Sequence, residues 1–321
     1  MAKTRIIDDI HKGATSLALL LFVCYAASFG ARYFWFSDIL RHFIHQYFIG
    51  ALILGVFFTC RKSWLWSTIM SLTALFTAYE IISVRSTPFP PTAFERTITI
   101  ANYNKLYFAP NYDALLNWIK EESPDILIIQ EADPPTSNLT KTLSEYPYSI
   151  KKIPTNPFGF ILLSKFPISE HKIGETQKHV LNNIYAHAVI DISENLKISL
   201  YSAHPVPPVS YIYTTQRNED IMQMTNMIKE DSSTNIIFLG DFNITPYSPF
   251  FKDVLKTTGL KNQYTSLLPL PSWPSTYYEY IFQIPIDHIL HKGDLELVDK
   301  RRGPAMGSDH YPLVATFAIP E

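Results

Sequence analysis

The sequence predicts an α+β protein in two parts: N-terminal transmembrane helices, followed by a two-sheet α/β sandwich. Three observations carry that prediction. Every long uncharged apolar stretch lies before residue 85. Beyond it, short strand-like runs recur with few helical patterns between them, which suits two packed sheets better than a doubly wound parallel sheet. Six of those runs end in, or are followed by, polar residues of a kind that can act together.

The apolar stretches come first in the chain. Residues 13–30 form 18 residues without a charge, 43–60 form another 18 broken only by His45 and Gln46, and 64–84 form 21 with the single charge Glu80. Each approaches the ~20 residues needed to cross ~30 Å of hydrocarbon. Lys3, Arg5 and Lys12 precede the first stretch, and Arg61 and Lys62 separate the second from the third. If these basic groups stay on the cytoplasmic side, three spans place everything after residue 85 outside the cytoplasm, although Arg32 and Arg41 oppose the bias. The expectation is a multi-pass protein of the inner or plasma membrane with an extracytoplasmic polar part. Two alternatives stay open: a cleaved signal peptide at the first stretch, or two spans with one segment lying on the surface. The aromatic loop Tyr33, Phe34, Trp35, Phe36, Phe43 suits the interface. Glu80 reads either as an intramembrane functional charge or as a residue near the outer interface. Ser86-Thr87-Pro88-Phe89-Pro90-Pro91 is a semi-rigid spacer, so the chain divides into an anchor at 1–85, a linker at 86–95 and a catalytic-type domain at 96–321.

Composition limits what that domain can be. The chain has 321 residues, a formal net charge of −2 and 17% charged residues, against about a quarter in typical domains. Both cysteines, Cys24 and Cys60, fall in apolar stretches. The polar part therefore has neither a disulfide framework nor a thiol nucleophile. From Arg85 onward 20 Lys and Arg stand against 25 Asp and Glu, a balance of −5. A protein that grips a nucleic-acid backbone usually shows a basic stripe, so nucleic acid is not the favoured partner. No protein partner is expected.

The elements follow from periodicity. Residues 97–104 alternate as a strand. Apolar positions 115, 116, 118 and 119 predict a helix over 112–122, stopped by Ser123-Pro124-Asp125. Residues 126–129 form a buried strand ending in Gln130-Glu131. Further strands are predicted at 158–163, 184–192, 198–203, 236–239, 286–290 and 313–317, with a helix over 214–229.

Polar residues gather at the ends of these strands: Asn104, Glu131, His204, Asp241 with Asn243, Asp287, and Asp309-His310. Mg²⁺ takes carboxylate and water oxygens, which suits Glu131 and Asp309. A histidine beside a carboxylate is held in one tautomer, which suits His310 with Asp287. Each motif alone is a common turn or cap. Their order and spacing together point to metal-assisted phosphoryl chemistry, which needs positioning and charge neutralisation more than a covalent nucleophile.

The runs Ala101-Asn102-Tyr103-Asn104, Asp125 to Glu131, Gly240-Asp241-Phe242-Asn243, Ile286 to Leu290 and Gly307 to Pro312 resemble the endonuclease/exonuclease/phosphatase superfamily, which has the DNase I-like fold. Four more runs resemble its bacterial membrane-anchored branch, which includes the undecaprenyl-pyrophosphate phosphatase of teicoplanin resistance. They are His204 to Pro208, Thr245 to Phe251, Ser272-Trp273-Pro274 and Ile284 to His288. The resemblance covers about residues 96–318. It implies that Glu131 binds Mg²⁺ (or Mn²⁺) with Asn104 and Asp309 close by. It also implies that Asp241 handles the attacking water and that Asn243, Asn104 and His204 contact the phosphate. His310, paired with Asp287, stabilises the phosphate or acts as a base. Where many relatives carry an aromatic residue, this chain has His288, which could approach the metal.

The expected function is a membrane-anchored, Mg²⁺-dependent phosphoesterase (phosphatase or phosphodiesterase) working at the outer face on a phosphate ester or pyrophosphate. The substrate is expected to be lipid-linked, with a polyprenyl pyrophosphate as the named candidate and membrane lipids as neighbours. The alternatives are an extracytoplasmic nuclease on the same residues, a hydrolase of a soluble phosphate ester and a non-enzymatic binding module.

Overall fold

The computed structural model describes residues 2–84, 96–109, 111–176, 181, 183–266, 269–276 and 281–319. The expected linker at 86–95 lies outside the described residues. The chain divides into two compact units: Met1–Arg85 with Tyr247–Pro249, and Ser86–Pro246 with Phe250–Glu321.

The first unit is helical: α1 (Ala2–Ser28), α2 (Trp35–Arg41), α3 (Ile44–Cys60) and α4 (Trp64–Ser83). Two stretches are long and apolar enough to cross a membrane, Ile6–Ser28 within α1 and Trp64–Ser83. The middle stretch differs from the sequence reading. Its helix has 17 residues, which at 1.5 Å each reach only about 25 Å. It reaches span length only together with α2, from which it is bent by 64°. Ala18, Ala51, Leu54, Phe58, Met70 and Ala74 pack inside this unit, and the small residues among them let the helix backbones approach closely. Many large side chains such as Leu19, Leu20, Leu52, Ile53, Leu75 and Phe76 point outward, as expected of helices whose solvent is lipid. Glu80 is not a lone intramembrane charge, because Arg41 Nη2 lies 2.6 Å from its Oε1.

The second unit is a sandwich of two sheets. Its strands are β1 (Thr97–Asn104), β2 (Ile126–Gln130), β3 (Tyr148–Lys152), β4 (Phe160–Ser164), β5 (Ile168–Glu175), β6 (Ile184–Asp191), β7 (Lys197–Ala203), β8 (Ile236–Asp241), β9 (Asp287–Lys292), β10 (Glu296–Arg302) and β11 (Leu313–Ala318). One sheet has the order β10-β11-β1-β2-β4-β3, the other β5-β6-β7-β8-β9. Ile98, Ile100, Ile128, Leu162, Leu200, Ile237 and Leu239 fill the space between them. Helix α5 (Tyr112–Glu122) covers the outer face of the first sheet through Leu115, Trp118 and Ile119. Helices α7 (Tyr211–Glu230) and α8 (Pro249–Thr258) contribute Ile221, Met224, Phe251 and Val254 to the outer face of the second. A short α6 (Pro134–Thr140) follows β2.

The predicted strands all form, with ends displaced by a few residues. Those absent from the sequence reading, β3, β5 and β10, are three of the four sheet edges; the fourth, β9, is buried along most of its length and is among those predicted. An edge strand usually buries little, and β5 is exposed along most of its length, so it carries no apolar alternation to read.

Register brings the polar strand ends together. Strands β1 and β2 run parallel, with Asn104 opposite Gln130. Strands β7 and β8 also run parallel, with Ser202 opposite Leu239. The antiparallel strands β9 and β11 enter beside them: Asp287 pairs with Asp241 and Leu313 with Asn102. The end of β1, β2, β7 and β8 is therefore also the start of β9 and β11.

Gly240 makes the last step of β8 possible. Its φ is +144°, and an added Cβ would lie 2.0 Å from the Ala203 carbonyl oxygen, a backbone atom that cannot step aside. Gly240→Ala should destabilise the full chain by on the order of 1–3 kcal/mol, visible as a lower unfolding midpoint in detergent solution. An unchanged midpoint would show that β8 can shift without cost.

Candidate active site

Asn104 sits at the centre of the strand ends. Its Nδ2 donates to Glu131 Oε1 at 3.0 Å and to Asp241 Oδ2 at 3.1 Å, while its Oδ1 accepts from Leu106 N at 3.1 Å. One amide group thus holds two carboxylates in place. Glu131, just past β2, adopts φ +55°, a conformation that non-glycine residues enter only at some cost. Its Oε2 accepts from Tyr107 N at 2.9 Å.

Asp241 ends β8 and is almost fully buried. Its Oδ1 accepts from Asn243 N at 3.0 Å. Its Oδ2 lies 3.4 Å from His204 Nε2 and 3.5 Å from His310 Nε2. Burial alone would raise its pKa, but His310 and then His204 outweigh burial and bring it down to about 2. His204, at the end of the β7 strand, shows the converse. Burial lowers its pKa, and Asp241 and Glu131 more than reverse that. Its Nε2 is 3.8 Å from Glu131 Oε1.

His310 completes the group. Its Nδ1 lies 2.8 Å from Asp287 Oδ2. Burial depresses its pKa, but Asp287 and then Asp241 overcome this and raise it to about 10. It is thus an imidazolium clasped between two carboxylates at neutral pH. Asp309 turns its Oδ2 to Trp273 Nε1 at 2.9 Å. Asn243 has φ +51° and donates from Nδ2 to Pro205 O at 3.0 Å, so it ties the loop after β7 to the tip of β8.

His288 does not belong to this group. Its Nε2 is 2.8 Å from the Ile244 carbonyl oxygen, its ring lies against Phe242 and Phe251, and burial lowers its pKa to about 3. It is a neutral core histidine bracing the turn after Asp241.

Several supporting residues carried no signal of their own in the sequence. Gln130 Oε1 accepts from Asp241 N at 2.8 Å, and its Nε2 donates to Ala203 O at 2.8 Å, so one amide joins β2, β7 and β8. Ser272 Oγ accepts from Asp287 N at 3.1 Å. Ser308 Oγ donates to Asn104 O at 2.8 Å. Lys105, buried beside Asn104, donates to Asp133 Oδ2 at 2.9 Å and to the carbonyls of Leu106 and Tyr107 at 3.1 Å each. That pins the loop whose Tyr107 N–H holds Glu131. A lysine next to the asparagine motif and an aspartate two residues past Glu131 were both visible in the sequence, but only the fold pairs them.

The donor set suits a divalent cation. Among the described residues, Asp287 Oδ1 and Asp309 Oδ1 are buried with no hydrogen-bond partner. Buried anionic oxygens without donors are costly unless a cation satisfies them. Asp241, Asp287 and His310 are the described residues whose donor atoms lie within 4.8 Å of one another. In that cluster His310 Nε2 faces Asp241 Oδ2 and its Nδ1 faces Asp287 Oδ2.

A two-sheet sandwich with carboxylates, imidazoles and an amide converging at one end defines a metal-dependent phosphoester hydrolase. Residues 94–310 match the profile of the Endonuclease/Exonuclease/phosphatase family, and the chain belongs to that family. No curated protein matches it. Solved structures share the fold at low identity. A D. rerio TDP2 complexed with single-strand DNA product has TM-score 0.59 and 18% identity, covering 70% of this chain and 100% of that one. A truncated Caenorhabditis elegans TDP2 gives 0.57 and 15%, covering 70% and 98%. The human Nocturnin catalytic domain with bound sulfate gives 0.56 and 17%, covering 71% and 97%.

Two outcomes test the site without turnover. Mn²⁺ or Mg²⁺ added to EDTA-treated protein should raise the unfolding midpoint saturably, and Glu131→Gln should remove that rise. Lys105→Met should weaken Mn²⁺ binding roughly 10-fold or more by releasing the loop behind Glu131, as read by electron paramagnetic resonance of free Mn²⁺. A lower midpoint with unchanged Mn²⁺ affinity would make Lys105 a stability residue only.

Proposed function

We propose that this chain is a membrane-anchored, Mg²⁺-dependent phosphoesterase that hydrolyses a lipid-linked phosphate ester or pyrophosphate at the outer face of the membrane. A polyprenyl pyrophosphate is the candidate substrate. The observation that carries the catalytic reading is the single buried cluster of Asn104, Glu131, His204, Asp241 and His310. The anchored reading rests on the apolar helices α1 and α4, and the outer-face reading on the bent pair α2 and α3 serving as a third span, with Lys3, Arg5, Lys12, Arg61 and Lys62 on the cytoplasmic side.

Asp241, kept ionised by its two histidines, orients the attacking water at the phosphorus. His310 is held charged by Asp287, and it and His204 face the phosphoryl oxygens, neutralising charge as the bond to the leaving group breaks. These are interactions preorganised in a dry site, where they are worth most. Asn104 keeps Glu131 and Asp241 apart and oriented, and Asn243 holds the loop that carries His204. Glu131 and Asp309 would hold Mg²⁺, which when bound supplies further charge neutralisation at the phosphate.

A second reading is a nuclease on the same residues, favoured by the fold shared with a TDP2 complexed with single-strand DNA product. The mildly acidic charge balance of the sandwich disfavours it.

A phosphate-release screen over lipid pyrophosphates, phospholipid headgroups and nucleotides separates the two. Mg²⁺-dependent release from a lipid pyrophosphate is expected, with Asp241→Asn lowering turnover on the order of 10²- to 10⁴-fold. Release only from nucleotides, or Asp241-dependent nicking of plasmid DNA, would transfer the site to the nuclease reading.

A further inference from the structure

Most of the exposed large apolar side chains described in the sandwich lie close in sequence to its site residues. Phe108 lies four residues past Asn104. Val209, Tyr211 and Ile212 lie five to eight residues past His204. Ile281 and Phe282 lie just before Asp287. These six side chains are between 50 and 82% exposed. They come from three segments far apart in sequence, and the strand register gathers Asn104, His204 and Asp287 at one end. Scattered exposed apolar residues need no explanation, but a concentration around one opening does.

Charge narrows the occupant. Among the described residues of 105–109, 153–159, 204–213, 269–276, 281–286 and 302–312, the Lys and Arg residues are Lys105 and Arg302. Lys105 is buried and spent on Asp133. A polyanionic backbone needs a run of exposed cations along its path, whereas here Arg302 is held by Pro271 O and Gln283 Oε1 and Lys152 is paired with Glu175. A hydrocarbon surface needs large apolar and aromatic side chains free of charge, and the rim consists of them. The same chain carries helices apolar enough to cross a bilayer.

We propose that this rim beds into a lipid surface and takes the phosphate ester from it, with the rim side chains among the acyl chains and the phosphate passing inward to the histidines. The contact with lipid is independent of the phosphoesterase reading, whereas the claim that the rim selects substrate rests on it.

The test uses the full chain reconstituted in phosphatidylethanolamine/phosphatidylglycerol vesicles. In a Cys24→Ser, Cys60→Ser background, an environment-sensitive fluorophore is attached at Phe282→Cys. A control label goes at Glu194→Cys, in the exposed turn between β6 and β7 at the other end of the strands. Quenching of the Phe282 label, but not the Glu194 label, by acyl-chain doxyl lipid is expected. The variant Phe108→Ser, Ile212→Ser, Phe282→Ser should lose ~10-fold or more of kcat/KM on a bilayer-embedded phosphate ester, in line with the transfer free energy of such side chains, and keep its value on a soluble aryl phosphate. Labels equally quenched by aqueous quencher, or a label shielded only when single-stranded DNA is added, would overturn the lipid contact. An equal loss on both substrates would overturn the selecting role. Lipid quenching without any lipid phosphate released by the wild type would leave the rim standing and sink the lipid-substrate reading. Lipid phosphate released with a water-exposed rim would do the reverse.

Discussion

A carboxylate buried at the seam of two sheets governs the arrangement of this site. Asp241 has almost no solvent access, and an isolated charge there would cost several kcal/mol even after relaxation. It persists because two imidazoles, the Asn104 amide and the Asn243 N–H converge on its two oxygens. The same requirement recurs outward. His310 can face Asp241 as a cation because Asp287 backs it. Asp287 is held by Ser272, and Glu131 is held by Asn104 and by the loop that Lys105 pins. Each charge is stabilised by a neighbour that itself needs a neighbour, so the cluster should respond as a unit.

The backbone meets this requirement through topology. Two parallel pairs, β1 with β2 and β7 with β8, end on the same side, and two antiparallel entrants add Asp287 and the Ser308–His310 loop beside them. Gln130 then crosses from one sheet to the other, meeting Asp241 N and Ala203 O with a single side chain. Gly240 permits that close approach, because any side chain would meet the Ala203 carbonyl. The positive φ of Glu131 and of Asn243 shows where the chain is bent away from ordinary strand geometry to aim a functional group.

Much of this is legible in the sequence. Central strands bury both faces and read as unbroken apolar runs, so β2 and β8 stood out, and the polar residues at their tips stood out with them. The edge strands β3, β5 and β10 and the supporting residues did not. β5 buries too little to leave a pattern. Lys105 and Asp133 are 28 residues apart and meet only because β1 and β2 lie side by side. His288 misleads in the opposite direction. A histidine beside Asp287 reads as a candidate ligand, yet alternation along β9 turns the two side chains to opposite faces. His288 then packs against Phe242 and Phe251.

The placement of positive charge bears on what such a site can recognise. Its imidazoles, His204 and His310, lie inside the cluster, and the Lys and Arg side chains around it are already engaged: Lys105 with Asp133, Arg302 with Pro271 and Gln283, and Lys152 with Glu175. Attraction from buried, compensated charges falls off within a few ångströms, unlike the long-range pull of a basic surface. A ligand must therefore be brought to the opening by something other than its charge before the histidines can act on it. For a phosphate carried on hydrocarbon, the apolar rim can supply that encounter. For a nucleic acid, neither the rim nor the charge balance does, so one catalytic set can serve different substrates through the loops around it.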